Sequence, residues 1–196
     1  MKIQLPYNYV PRPYQLNNLW IPFDRGCKRI VQIWHRRSGK DLNDLNLMIR
    51  EMWAHVGNYY YAFPTYSQGK KALWEGKNKD GKRFLDYFPK DLLDGKPNDT
   101  EMKIKLKNGS IFQVIGVEDP DRVVGTNPRG IIFSEYSLQN PKAWELLRPI
   151  LRENGGWAIF NYTPRGRNHG FKLYEMAKGN PNWYVSLLTV DDTKIL

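Results

Sequence analysis

The chain has 196 residues, 30 of them Lys or Arg against 20 Asp or Glu, for a formal net charge of +10. That length suits one domain with a real core, and a 41% hydrophobic content with seven Trp and twelve Tyr excludes a disordered chain. No apolar run reaches the roughly eighteen residues of a membrane span, and Met1–Pro6 lacks the apolar stretch of a secretory leader, so neither is expected.

In chain order, Arg29–Trp34 reads as a buried strand and Asp41–Val56 as a helix. Leu42, Leu45, Met48, Ile49, Met52, Trp53 and Val56 recur at the spacing of one helical face. Asn58–Phe63 is a second strand ended by Pro64, and Ser67–Asn78 suits a second helix. Lys107-Asn108-Gly109-Ser110 separates Met102–Leu106 from Ile111–Ile115. Asn-Gly between alternating runs predicts a hairpin, because such turns need left-handed residues. Gly130–Phe133 predicts a short buried strand, and Pro141–Leu151 a helix with Pro141 in its first turn. Trp157–Phe160 is a further strand, then the loop Asn161–Gly170, a helix through Met176 and a last strand at Trp183–Leu188. Strands alternating with helices imply crossover units. The expectation is a single α/β domain over residues 1–196, with a mainly parallel sheet and one inserted β-hairpin.

In such a sheet, chemistry gathers at the carboxyl ends of the strands. Three of these ends carry polar signals. Gln32–Asp41 is an apolar run opening into Gly39-Lys40 and then a helix, the layout of a phosphate-binding loop. Trp34 stands where the first glycine of that motif is usual, and Asp41 where Ser or Thr is usual. Ile131-Ile132-Phe133-Ser134-Glu135 delivers a carboxylate, and Ile159–Gly166 ends in a polar turn fixed by Pro164. The basic residues Lys70-Lys71, Lys77, Lys79 and Lys82-Arg83 interleave with Tyr66, Trp74 and Phe84. They read either as a solvated surface or as a nucleic-acid contact. His35, His55 and His169 show no metal-ligand spacing, and the lone Cys27 fits a reducing compartment.

Taken together these segments resemble the ATPase domain of the large terminase subunit, the motor that packages DNA into tailed-phage heads. Pro13-Tyr14-Gln15 looks like the family's Q motif. His35-Arg36-Arg37-Ser38-Gly39-Lys40 resembles its arginine-bearing Walker A loop, and Phe63–Gln68 the segment after its second strand. Gly109-Ser110, Val114-Ile115-Gly116 and Asp119–Gly125 resemble the lead-in to Walker B, and Thr163-Pro164-Arg165-Gly166 the coupling motif. The resemblance implies a P-loop NTPase fold of the ASCE/RecA-like three-layer kind, with ATP and Mg2+ as cofactors.

It also implies roles. Lys40 would hold the β/γ-phosphates, Arg36 would neutralise charge during phosphoryl transfer, and Glu135 would polarise the attacking water. Residues His35, Arg36, Arg37, Ser38, Gly39, Lys40 and Asp41 would surround the phosphates. Gln15 would offer its amide to the adenine edge, and Tyr14 either stacks on the base or belongs to the core. Thr163 would couple nucleotide state to DNA grip. Arg122 and Arg129 are both candidates for an arginine supplied to a neighbouring subunit, with Val124 at the position where the family often carries one.

Asp41 and Ser134 stand where the family usually has Ser/Thr and Asp. One hydroxyl and one carboxylate are retained with their places exchanged, so the pair is expected to touch at roughly 2.5–3.0 Å, or through one water, and to serve magnesium directly or indirectly. The alternative is a degenerate site that hydrolyses poorly.

The implied partners are double-stranded DNA, the portal protein, the small terminase subunit and further copies in a ring, in the host cell cytoplasm and without a membrane. The isolated domain is expected to be a monomer. The family's C-terminal nuclease domain is expected to be absent from this chain. Competing readings are a small-molecule P-loop kinase, a related helicase or translocase, and a non-hydrolysing nucleic-acid-binding P-loop module.

Overall fold

The computed structural model describes residues 3–123 and 125–195. Strands β1 (Arg29–Trp34), β2 (Asn58–Phe63), β3 (Lys103–Lys105), β4 (Ile111–Gly116), β5 (Pro128–Ser134), β6 (Trp157–Tyr162) and β7 (Tyr184–Leu188) form one sheet. Their order is β3-β4-β2-β5-β6-β1-β7. Every neighbouring pair is parallel except β3 and β4. The Asn-Gly hairpin therefore extends the sheet, since β4 pairs with β2 along its whole length and β3 forms the edge. Gly109 takes φ +93° in the turn, the left-handed conformation that the Asn-Gly signal requires.

The helices are α1 (Pro13–Gln15), α2 (Ile21–Asp24), α3 (Lys40–Ala54), α4 (Tyr66–Gly69), α5 (Lys142–Glu153), α6 (His169–Lys178) and α7 (Val190–Thr193). A π turn, Leu16–Trp20, joins α1 to α2, and another, Lys70–Trp74, continues α4. Central strands buried on both faces alternate between two cores rather than between core and water. Tyr59, Tyr61, Ile132 and Ile159 pack with Leu45, Met48 and Met52 of α3. Tyr60, Ile131, Phe133 and Phe160 pack with Trp144, Leu147 and Leu151 of α5 and with Leu173 and Ala177 of α6. The result is the expected three-layer α/β architecture. The Phe133 and Phe160 rings stack at 4.9 Å, and Trp144 meets Phe160 edge-on at 4.9 Å, locking β5 to β6 under α5.

Several boundaries differ from the sequence reading. The first long helix stops at Ala54, so Val56 lies beyond it and is exposed, as is Trp53. The predicted helix Ser67–Asn78 starts at Tyr66, where Thr65 caps it by accepting from the Gln68 N–H at 3.2 Å. It ends after the π turn at Trp74. The helical stretch 13–24 has no counterpart in the sequence reading, although Leu16, Leu19, Trp20 and Phe23 fall at the spacing of one helical face. It forms because Leu19 and Trp20 have a core to enter.

Candidate active site

The strand order places β6 between β1 and β5. Gln32, Asn161 and Ser134 are register partners across these three strands, giving a polar row near their carboxyl ends. Helix α3 lies on the same side of the sheet, where Asp41 and Asp44, three residues apart and so on one helical face, meet the row. Ser134 Oγ donates to Asp41 Oδ1 at 2.7 Å, as the exchanged pair requires. The same oxygen accepts from Tyr61 Oη at 3.1 Å and from Asn161 Nδ2 at 3.3 Å. Asn161 Nδ2 also donates to Asp44 Oδ2 at 2.6 Å, and Asn161 Oδ1 accepts from the Glu135 N–H at 3.4 Å.

The loop between β1 and α3 turns on two left-handed residues, Arg37 at φ +63° and Gly39 at φ +76°. At the start of α3 the N–H groups of Gly39, Lys40 and Asp41 have no partner among the described residues. They are helix-start donors that suit an anion. Lys40 is 5% exposed, and its Nζ lies 3.3 Å from Glu135 Oε1. Glu135 itself adopts φ +53°, a strained setting for a residue with a Cβ. The turn after it is fixed from several sides. Gln139 Nε2 donates to the carbonyls of Ala62 and Ser134, while Asn168 Nδ2 donates to Ser137 O and His169 Nε2 lies 2.7 Å from Tyr136 O.

Burial governs the titratable groups. It is the largest influence on Asp44, whose carboxyl rises from 3.8 to about 8 although the Asn161 hydrogen bond opposes the shift. Tyr61 is likewise pushed up by burial and then by the Asp41 and Asp44 carboxylates, so it stays a neutral donor to Asp41.

The structure thus brings Lys40, Asp41, Ser134 and Glu135 together. Arg36 and Arg37 flank them, exposed and without a hydrogen bond or ion pair from their side chains among the described residues. Ser38 is buried, its hydroxyl unpartnered among the described residues. The His35 ring is held at 2.6 Å by both Thr193 Oγ1 and Arg36 O, which commits both of its nitrogens inside the chain. Thr163 accepts from Ser137 Oγ through its carbonyl at 3.2 Å, while its own buried hydroxyl has no partner among the described residues.

Tyr14 and Gln15 both reach the backbone of the loop. Tyr14 Oη donates to Ser38 O, and Tyr14 also packs edge-on against Trp34 at 5.8 Å. Arg129 is exposed near the start of β5, about 16 Å of strand from Ser134 and so at the amino ends of the strands, opposite the site. Arg122 has its backbone in the turn Pro120–Val123, after the carboxyl end of β4; its side chain, like Val124, lies outside the described residues. The sequence reading passed over Asp44, Tyr61 and Asn161 as site residues. Asn161 stood within the polar strand end, but nothing in the sequence reveals that β6 lies between β1 and β5.

No family model matches the chain. Over 91 residues it is 34% identical to the large terminase subunit of Escherichia phage T5, a match covering 44% of this chain and 21% of that protein. The chain therefore matches about a fifth of that relative's length. Among solved structures, the large terminase ATPase domain of Thermus phage P74-26 superimposes with a TM-score of 0.75 at 19% identity, over 98% of this chain and 89% of that one. The large terminase of another thermophilic bacteriophage, in complex with ADP, gives 0.72 at 19% identity, over 94% and 46%. The ATP-gamma-S complex of that same terminase gives 0.69 at 19%, over 92% and 45%. At these identities the structural likeness establishes the fold, a RecA-like P-loop domain similar to those of large terminases.

Proposed function

We propose that this chain is the ATP-hydrolysing motor domain of a phage DNA-packaging terminase, driving double-stranded DNA into a procapsid. The observation that carries this reading is the convergence of Lys40, Asp41, Ser134 and Glu135 at the ends of β1 and β5. The net charge of +10 supports a polyanionic track, and the sequence similarity to the T5 large terminase supports that track being packaged DNA.

In this reading the free N–H groups at the start of α3 and the buried Lys40 ammonium hold the β- and γ-phosphates. Arg36, exposed and uncommitted, swings onto the transferring phosphoryl group and neutralises its developing charge. Glu135 exchanges its contact with Lys40 for the attacking water once phosphates engage the lysine, orienting it and taking its proton. Thr163, bonded through its carbonyl to the turn that follows Glu135, carries the nucleotide state outward.

Asp41 and Ser134 are hard oxygen donors that fit magnesium. No cluster of three or more His, Cys, Asp or Glu suited to a metal occurs among the described residues, which fits an ion carried mainly by phosphate oxygens and water. Magnesium bound there would neutralise charge on the transferring group.

The portal, the small terminase subunit and a ring of copies in the host cell cytoplasm are the corresponding partners. No helix among the described residues is long and apolar enough to cross a membrane. An arginine lent to a neighbouring subunit's site is best sought at Arg122, whose turn follows the carboxyl end of β4, the end of the parallel strands that also carries the phosphate loop.

Duplex-stimulated ATP hydrolysis tests the proposal. Glu135→Gln should retain ATP binding and lose about 10²–10⁴ in turnover, whereas Lys40→Ala should lose affinity as well. Glu135→Gln turning over at the wild-type rate, or a wild type with no turnover in the presence of duplex DNA, would refute it.

A further inference from the structure

The Gln15 carboxamide is buried and turned to partners inside the chain. It is 2% exposed. Its Oε1 accepts from Tyr9 Oη at 2.8 Å and from the Arg12 N–H at 2.9 Å. Its Nε2 donates to Ser38 O at 3.2 Å, with a longer contact to Gly39 O at 3.5 Å. A primary amide offers two acceptor lone pairs and two donor hydrogens; both lone pairs are engaged inside the chain, and the nitrogen is committed to the loop carbonyls. Reading an adenine edge would take the amide away from Tyr9 Oη, the Arg12 N–H and Ser38 O and leave those groups short of a partner.

Resting on the reading of this site as a nucleotide-phosphate site, we infer that Gln15 and Tyr14 are positioning residues that set the phosphate cradle, and that Gln15 takes no part in selecting the base. Ser38 O receives two donors from α1, Tyr14 Oη and Gln15 Nε2. In a trans peptide the C=O and the following N–H point in opposite directions. Drawing the Ser38 carbonyl toward α1 therefore turns the Gly39 N–H away from α1, and that N–H has no partner among the described residues. Gly39, with no side chain and φ +76°, cannot hold that peptide plane by itself. Tyr9 and the Arg12 N–H complete the device by holding the amide oxygen, so the carboxamide cannot flip and turn its oxygen toward the Ser38 carbonyl. Asn43 Oδ1 accepts from Trp20 Nε1 at 2.7 Å and lies 3.3 Å from Tyr9 Oη, anchoring the same assembly to α3.

The test uses inorganic tripolyphosphate, which has no base, alongside ATP and GTP, with affinities measured by calorimetry on the whole chain. Gln15→Glu keeps the acceptors for Tyr9 and Arg12 but loses both donations to the loop, and Tyr14→Phe loses one. Gln15→Glu should weaken all three ligands by a common factor of about tenfold, the size of one or two neutral hydrogen bonds. Tyr14→Phe should weaken them by a smaller common factor, with the ATP-to-GTP ratio unchanged in both variants. Unaltered tripolyphosphate affinity with weakened ATP, or a shifted ATP-to-GTP ratio, would overturn the clamp while leaving the nucleotide reading intact. A wild type that binds none of the three would overturn the nucleotide reading itself. If Gln15→Glu does not fold, as judged by circular dichroism, Tyr14→Phe decides the matter alone.

Discussion

Replacing Asp41 by Ser is the sharpest perturbation of the exchanged pair. Asp41 Oδ1 accepts from Ser134, Tyr61 and Asn161 at 2.7, 3.1 and 3.3 Å. Two of these donors have a second acceptor. Tyr61 Oη can stay on the Asp41 backbone carbonyl at 3.2 Å, and Asn161 Nδ2 on Asp44 at 2.6 Å. Ser134, fully buried, loses its carboxylate partner outright. A hydrogen bond to a charged group contributes about 1.5–3 kcal/mol, so a double-mutant cycle between positions 41 and 134 should show coupling of that order in unfolding free energy. In a magnesium titration of ATP hydrolysis, Asp41→Ser should cripple turnover because no carboxylate replaces the one removed. Adding Ser134→Asp should restore part of it, since the shortened side chain at 41 vacates room for a longer one at 134. Denaturant midpoints and initial hydrolysis rates at several magnesium concentrations give both readouts. A double variant no better than Asp41→Ser in either, or coupling indistinguishable from zero, would refute the exchange and favour a site that merely degenerated.

Gly39→Ala should lower stability by about 1–2 kcal/mol, because the new Cβ meets a left-handed backbone and stands 3.2 Å from Gln15 Nε2; an unshifted melting temperature would contradict this. Asp44 binds a proton in the folded chain up to about pH 8 but, with an ordinary value of 3.8, releases it much earlier when unfolded. The native state therefore holds more protons between those limits, and stability falls as pH rises, at up to about 1.4 kcal/mol per pH unit. Asp44→Asn should flatten that slope, so that variant and wild type converge near pH 4 and the variant is the more stable at pH 8. Parallel urea midpoints for the two across this range would count against it. Phe133→Ala, removing a fully buried ring stacked on Phe160, should cost about 3–5 kcal/mol in chemical denaturation; a cost below about 1 kcal/mol would show that α5 collapses into the gap.

What the sequence revealed and what it concealed divide along physical lines. Local signals were reliable. Asn108-Gly109 announced its hairpin, β1 and β2 were read to the residue, and Gly39-Lys40 marked the loop. The Asp41–Ser134 contact was legible because two residue types had changed places within recognisable motifs. Non-local facts were not. Asp44 and Asn161 meet only because β6 lies between β1 and β5, and strand order leaves no trace in local periodicity. The amphipathic reading of α3 found Leu45, Met48 and Met52 but not its burial on the polar side, where Asn43, Asp44 and Asn46 are also enclosed. Gln15 was noticed for its motif, yet its commitment inside the chain depends on Tyr9 and on the loop folding over it.

The pairing of β1 has a consequence for how this domain comes into being. The strand that carries the phosphate loop is synthesised first, yet it pairs only with β6 and β7, built from residues 157–188. Until those residues leave the ribosome, residues 29–34 have no neighbours with which to complete their backbone ladder, and the loop has no support. Closing so long a stretch of chain before any ladder bond forms makes assembly slow and late relative to the hairpin β3–β4. Nascent chains arrested before β6 should therefore be recovered with that hairpin protected from hydrogen exchange and with no retention on immobilised ATP.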